Sequence, residues 1–106
     1  MITLTNHLLG AYIDVARYPK LSEVIPDKKL EIVELIEPDE IVLVAARYQP
    51  FLEGIEAAPL AVTLGDEMLF IGTSEDNSGF IYYVDIEFGV FLLEQSLKDF
   101  VSALER

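Results

Sequence analysis

The fold of this chain is decided by residues 60–93, which read LAVTLGDEMLFIGTSEDNSGFIYYVDIEFGVFLL. Short runs of aliphatic, β-branched and aromatic residues alternate there with brief polar segments that contain glycine, a pattern typical of strands joined by tight turns. Gly65-Asp66 is a glycine-first pair of the kind that closes an antiparallel hairpin. The sequence therefore predicts a meander of strands at 60–64, 67–71, 80–84 and 90–93, with a polar loop at 73–79 and a turn at 85–89.

A helix is predicted directly after the last strand. Residues 96–99 (Ser-Leu-Lys-Asp) fit a capping box, in which the serine side chain accepts from the amide of the fourth residue and the acid accepts from the serine amide. The apolar residues behind the serine fall at i, i+3, i+4 and i+7 and form one stripe. They are Leu97, Phe100, Val101 and Leu104. We expect this stripe to cover the sheet.

The first half of the chain gives weaker signals. Asn6 can cap a helix over the apolar residues that follow it, and Pro19 would end that helix. A second helix is predicted to begin near Pro26-Asp27 and to run through 30–36, where the apolar spacing also fits a strand.

The middle of the chain completes the predicted architecture. Residues 41–46 (IVLVAA) are apolar and partly β-branched, which favours a buried strand, and 49–59 reads as a connection with a proline near each end. The expected fold is α+β, an antiparallel sheet of about four to five strands with helices packed on one face. At 106 residues the chain is long enough for one domain, residues 1–106.

Composition narrows the class of protein. The apolar content of 52% argues against intrinsic disorder. No apolar run reaches the roughly 18 residues that span a bilayer, and the first residues show no signal-peptide pattern. The sequence has no cysteine, which excludes disulfides and thiolate chemistry and leaves the cytoplasm as the expected location.

Charge is distributed unevenly along the chain. The formal net charge is -12, and the segment between Tyr48 and Leu97 holds nine carboxylates but no lysine, arginine or histidine. A folded surface with one sign of charge attracts cationic partners and repels polyanions. We therefore expect a basic protein partner, no direct binding of nucleic acid and no membrane association. The same charge would also serve solubility alone.

No motif in the sequence indicates an enzyme. The one histidine, His7, has no serine or carboxylate in a pattern that completes a triad. Adjacent acids on a strand point to opposite faces, and 75–79 lacks the ligand spacing of an EF-hand loop. We predict a non-catalytic protein without a metal site or a cofactor.

The aromatic residues between Phe80 and Phe91 have two interpretations. They pack across strands in the core, or they leave a tyrosine-bearing face rimmed by acids for a partner. Core packing is the simpler interpretation. Stacking on nucleic-acid bases would need basic neighbours, which this segment lacks.

Five short motifs follow one another in the second half of the chain: an apolar strand ending in Ile-Gly, a polar loop with glycine, an aromatic strand ending in aspartate, a glycine turn and a serine-capped helix. They occupy 69–72, 77–79, 81–85, 88–90 and 96–100. In this order they resemble the SUKH superfamily, which includes bacterial toxin-immunity proteins and a fungal cell-wall regulator. The resemblance implies an α+β fold and a non-catalytic protein that binds and neutralises a toxin, often a nuclease.

The expected partner-binding residues are acids in or beside the loops of the sheet, namely Glu75, Asp76, Asp85 and Glu87. They would mask a basic surface of the toxin. One alternative is a small self-associating structural or regulatory module, a homodimer that covers open sheet edges. Another is mimicry of nucleic acid, with carboxylates in place of phosphates.

Overall fold

The sheet of this protein is antiparallel and has its strands side by side in chain order. The computed structural model describes residues 7–65 and 67–105, and six strands lie in that part. The strands are β1 Tyr12–Asp14, β2 Lys29–Leu35, β3 Ala57–Thr63, β4 Met68–Gly72, β5 Ile81–Asp85 and β6 Gly89–Glu94. The α-helices are α1 Pro19–Ser22, α2 Ile41–Tyr48 and α3 Leu97–Ala103. The predicted α+β class is confirmed.

The predicted meander is confirmed from β3 to β6, and α3 follows it. Thr63 closes the β3–β4 hairpin, because its amide and its hydroxyl both donate to the Glu67 carbonyl, at 2.9 and 3.0 Å. Asp66, the second residue of the predicted turn, lies outside the described residues. The Ser96 hydroxyl oxygen caps α3 by accepting from the Asp99 amide at 3.0 Å.

Two more strands come from the first half of the chain, where helices were predicted. β2 covers most of 30–36, with Leu30 and Ile32 buried on one face, so the helix predicted for this segment was wrong and its alternating spacing belongs to a strand. β1 pairs with β2 through Ile13 and Leu30 in the region assigned to the first helix. Asn6, its proposed cap, lies outside the described residues. The sheet therefore has six strands and not four to five.

Residues 41–46 form most of α2, so the strand predicted there was wrong. The Glu37 amide donates to Glu40 Oε1 at 3.1 Å in a 3-10 turn, Pro38–Glu40, that leads into the helix. One side of α2 is partly buried against the sheet through residues at i, i+3, i+4 and i+7. These are Ile41, Val44, Ala45 and Tyr48. The helical period was hidden in the sequence by the apolar residues between them.

Alternate side chains of the central strands enter two separate apolar clusters, one on each face of the sheet. Leu69 and Tyr83 share one cluster with Phe100 of α3. On the opposite face Phe70 meets Tyr48 of α2, with ring centroids 5.7 Å apart. The helices therefore cover both faces and not one. Both faces need cover because β4 and β5 are apolar at nearly every position.

The replacement Phe100→Ala should lower the free energy of unfolding by roughly 3–5 kcal/mol, because it empties a fully buried site between α3 and the sheet. Ser96→Ala should cost only about 1 kcal/mol, the usual loss for a helix cap. Urea titrations of both variants measure the two losses. Equal and small losses would show that α3 does not hold the core together.

Candidate protein-binding surface

The four predicted partner-binding acids fall at opposite ends of β5. In an antiparallel meander, the β3–β4 and β5–β6 connections emerge at one end of the sheet, and the β4–β5 connection at the other. We call the first the turn end (residues 64–67 and 86–88) and the second the loop end (residues 73–80). Asp85 and Glu87 lie at the turn end, whereas Glu75 and Asp76 lie at the loop end. The structure therefore separates the four acids into two groups of two, one at each end of the sheet.

Asp85 is buried at the turn end and hydrogen-bonds to the backbone of the β5–β6 turn. Only 6% of the residue is exposed, and its Oδ1 accepts from the amides of Glu87 and Phe88 at 2.7 and 3.1 Å. These two bonds hold the β5–β6 turn and leave the side chains of Ile86, Glu87 and Phe88 exposed. Asp85 thus positions the turn, and Glu87 is the member of the pair whose side chain faces solvent.

Two further carboxylates that the sequence did not single out lie at the turn end. Glu53 Oε2 is 3.0 Å from the point where a Cβ on Gly89 would stand, so this exposed acid lies against the start of β6. Glu67 Oε1 comes within 2.9 Å of the equivalent point on Gly65. Glu53 is distant in sequence from Gly89, and no local pattern links the two. Only the path of the chain after α2 brings Glu53 to this end.

Tyr83 is buried close to carboxylates of the turn end. Burial raises the pKa of its hydroxyl, and the nearby carboxylates Glu67, Asp85 and Asp27 raise it further because they oppose a second negative charge. The hydroxyl also hydrogen-bonds with Glu67, where it donates to the carboxylate. The Tyr83 hydroxyl therefore stays protonated at all ordinary pH values.

The turn end also exposes large apolar side chains. Leu64 is 63% exposed, Ile86 64% and Phe88 48%. The centres of the two turns that carry them are two strand spacings apart in the sheet, so their tips lie roughly 10 Å apart. The tyrosines of β5 are buried instead, which confirms core packing and excludes the alternative of an exposed tyrosine face.

Basic residues are few beside this end. Lys28 and Lys29 lie where β2 begins, next to the end of β3. Lys29 Nζ is 2.6 Å from Glu105 Oε1, so that lysine already has an acidic partner. The turn end thus combines several carboxylates with exposed apolar groups and little opposing charge.

The loop end is built differently. Asn77 Oδ1 accepts from the Ser74 amide and hydroxyl at 2.9 and 2.7 Å, and its Nδ2 donates to the Glu56 carbonyl and the Tyr82 hydroxyl at 3.0 and 3.1 Å. A Cβ on Gly72 would overlap the Asn77 carbonyl, so the loop packs directly on the end of β4. Glu75 and Asp76 are exposed there, but residues 73–80 include no exposed large apolar side chain.

A histidine and a cavity lie elsewhere in the described chain. His7 lies exposed in a turn, and the residues at 7–65 and 67–105 contain no group of three or more His, Cys, Asp or Glu that could hold a metal ion. A cavity of about 580 Å³ lies between α1 and β6. Arg17, which lines this cavity, forms an ion pair with Glu94, and its Nε lies 3.0 Å from Glu94 Oε2. Across these same residues, no helix has the length and apolar content needed to cross a membrane.

The fold and the turn end together define a small α+β domain that presents carboxylates and apolar side chains at one end of its sheet. The chain belongs to the RhsPI family, whose model matches residues 7–105. No curated protein matches the sequence. The match to RhsPI leaves the SUKH resemblance a prediction.

Replacing Asp85 should affect stability and replacing Glu87 should not. Asp85→Ala removes an acceptor for two amides in a buried site, and we expect a loss of about 1–3 kcal/mol. Glu87→Ala removes an exposed side chain and should stay within roughly 0.5 kcal/mol of the parent protein. Urea unfolding of both variants checks this, and a large loss in Glu87→Ala would contradict the assigned roles.

The raised pKa values of Tyr83 and Tyr18 predict alkaline lability. A tyrosine whose pKa is higher in the folded state stabilises the fold fully below the unfolded pKa of about 10, and this contribution is lost as the pH rises above it. Burial is the main cause at both residues, and Tyr18 also donates to Glu94 at 2.8 Å.

We expect the free energy of unfolding to fall above pH 10 by up to roughly 1.4 kcal/mol per pH unit for each of these tyrosines. In Tyr83→Phe the free energy of unfolding should fall less steeply with pH, because the contribution of Tyr83 is removed while the other ionisations stay the same. Urea titrations at pH 9, 10 and 11 compare the two proteins. Identical slopes would show that Tyr83 ionises equally easily in both states.

Proposed function

We propose that this protein is a non-catalytic immunity-type protein that binds a toxin and neutralises it by masking a basic surface with the turn end of its sheet. One observation carries the proposal: exposed carboxylates of Glu53 and Glu87 surround a turn that exposes Ile86 and Phe88. The family name RhsPI suggests an Rhs-associated immunity protein, which supports the same role.

The chemistry of the turn end fits a basic protein partner. Protein interfaces combine an apolar centre with a polar rim, and large side chains such as Phe88 supply most of the binding energy. The acids around that centre attract lysine and arginine and speed the encounter, and they repel the phosphates of nucleic acid. A nuclease is one such partner, because a surface that binds nucleic acid is basic. The lack of cysteine is compatible with action in the cytoplasm.

Each predicted residue has a defined part in this proposal. Glu87 contacts the toxin, and Glu53 joins it from across the β5–β6 turn. Asp85 holds the turn and does not touch the partner. Glu75 and Asp76 lie at the other end of a five-residue strand, roughly 16 Å away, and contribute to the field of the whole protein.

The two ends of the sheet can be compared with matched charge reversals. Glu53→Lys with Glu87→Lys, and Glu75→Lys with Asp76→Lys, change the net charge equally. The probe is the purified toxin domain encoded beside this gene in its source genome, and calorimetry at 50 and 500 mM NaCl measures the affinity. We expect the turn-end pair to weaken binding at least a hundredfold at low salt and the loop-end pair to weaken it less than tenfold.

Salt should weaken binding of the parent protein, because screening removes attraction between opposite charges. Growth of cells that co-express the toxin domain and each variant gives a second measurement. Equal losses in the two pairs would indicate a general charge effect, and a larger loss at the loop end would move the interface there. No binding by the parent protein would overturn the proposed function.

A further inference from the structure

The outward side of α2 exposes apolar side chains that its inward packing does not use. Val42 is 81% exposed and Leu43 67%, the two highest values among the large apolar residues of the described chain. Ala46 is exposed one turn further along the same side. A helix that shows apolar side chains to solvent on the side opposite its core contacts has a surface that a partner can cover.

Charged residues stand at the two ends of this exposed side. Asp39 lies in the turn that leads into α2, Leu43 follows four residues later, and Arg47 follows after four more. Residues four apart on an α-helix lie on one face, so Leu43 and Arg47 share a face of α2, and Asp39 precedes that face in the 3-10 turn. The three residues together span about 12 Å along the helix axis and form one stripe. Neither Asp39 nor Arg47 takes part in an ion pair within the described residues.

We propose that this stripe is a self-association surface, on which α2 of a second copy packs antiparallel about a two-fold axis at Leu43. The axis places Asp39 of each copy opposite Arg47 of the other, since both residues are four positions from Leu43. Val42, Leu43 and Ala46 of the two copies then meet in the centre. The stripe is complementary to itself in this direction only, because a parallel pairing would place like charges together. This inference is independent of the toxin-binding role and uses a different surface.

The size and charge of the contact set its strength. Two helices of eight residues bury less than the roughly 1,200 Å² of a standard interface, so we expect a dissociation constant on the order of 10⁻⁴ M. Two copies with a net charge of -12 repel each other, and salt screens that repulsion. Salt also screens the attraction within the two Asp39–Arg47 cross pairs, so we expect the dissociation constant of the dimer to change less than tenfold between 50 and 500 mM NaCl. Binding of a basic partner, by contrast, should weaken strongly over the same range.

Sedimentation equilibrium of the full chain between 20 µM and 1 mM measures the oligomeric state. We expect a concentration-dependent dimer at 500 mM NaCl, and loss of this dimer in Val42→Ser with Leu43→Ser. Asp39→Arg alone and Arg47→Asp alone should each weaken the dimer at least tenfold. The double variant Asp39→Arg with Arg47→Asp should restore it, because the cross pairs are re-formed with their signs exchanged and the net charge is that of the parent protein.

Matched controls separate pairing from total charge. Lys20→Asp changes the net charge as Arg47→Asp does, and Glu75→Arg changes it as Asp39→Arg does, and both should leave the dimer within threefold of the parent protein. Circular dichroism and thermal unfolding confirm that each variant folds. A parent protein that stays monomeric at 1 mM, or a dimer that survives the serine variant, would overturn the proposal. A folded double variant that does not recover dimerisation would overturn the antiparallel register.

Discussion

Burial of the β4–β5 pair on both faces is the constraint on which the rest of the structure depends. Leu69 of β4 pairs with Tyr83 of β5 on one face, and Phe70 pairs with Tyr82 on the other. Apolar side chains on two faces require two covering layers, because each exposed face would leave several large residues in water. The segment before β2, together with α3, covers one face, and α2 with the segment that follows it covers the other. The two apolar faces of β4 and β5 therefore explain why helices pack on both sides of the sheet.

Burial of both faces of the sheet also explains where the acidic residues lie. With both faces of the central strands buried, charged residues are confined to the ends of the sheet and to the outer surface of its cover. The turns joining the strands are short, so carboxylates from different hairpins come close together at one end. A negative field is thus concentrated there although the acids are widely separated in sequence. Burial raises the pKa of Tyr83, and the nearby carboxylates Glu67, Asp85 and Asp27 raise it further.

The sequence predicts the second half of this fold well and the first half poorly, for physical reasons. From Leu60 onward, glycine-containing turns and a serine cap mark each boundary, and these depend on local backbone chemistry. The segments at 30–36 and 41–46 lack such marks, and each fits both a helix and a strand. Their states are decided by tertiary pairing, β2 against β3 and α2 against the sheet, which a local pattern does not contain.

The candidate surface was foreseen in part for the same reason. The loop positions of Glu75, Asp76, Asp85 and Glu87 follow from the meander, and the turn role of Asp85 could have been suspected from an aspartate three residues before Phe88 and four before Gly89. The contribution of Glu53 could not have been predicted from the sequence. It depends on the course of the chain after α2, and the sequence did not indicate that helix. The exposed face of α2 was missed because the same residues were assigned to a buried strand.

The bonds from Asp85 have a consequence for how such a surface can change during evolution. Its carboxylate binds backbone amides, which every residue except proline possesses, so the turn keeps its shape whatever side chains occupy positions 86–88. The same holds at the other end, where Asn77 ties the loop through backbone groups as well as the Tyr82 hydroxyl. The exposed side chains of the turn and the loop are thus separated from the groups that maintain their shape. Substitutions at positions 86–88 can therefore change the chemistry of this exposed surface while the scaffold beneath stays the same.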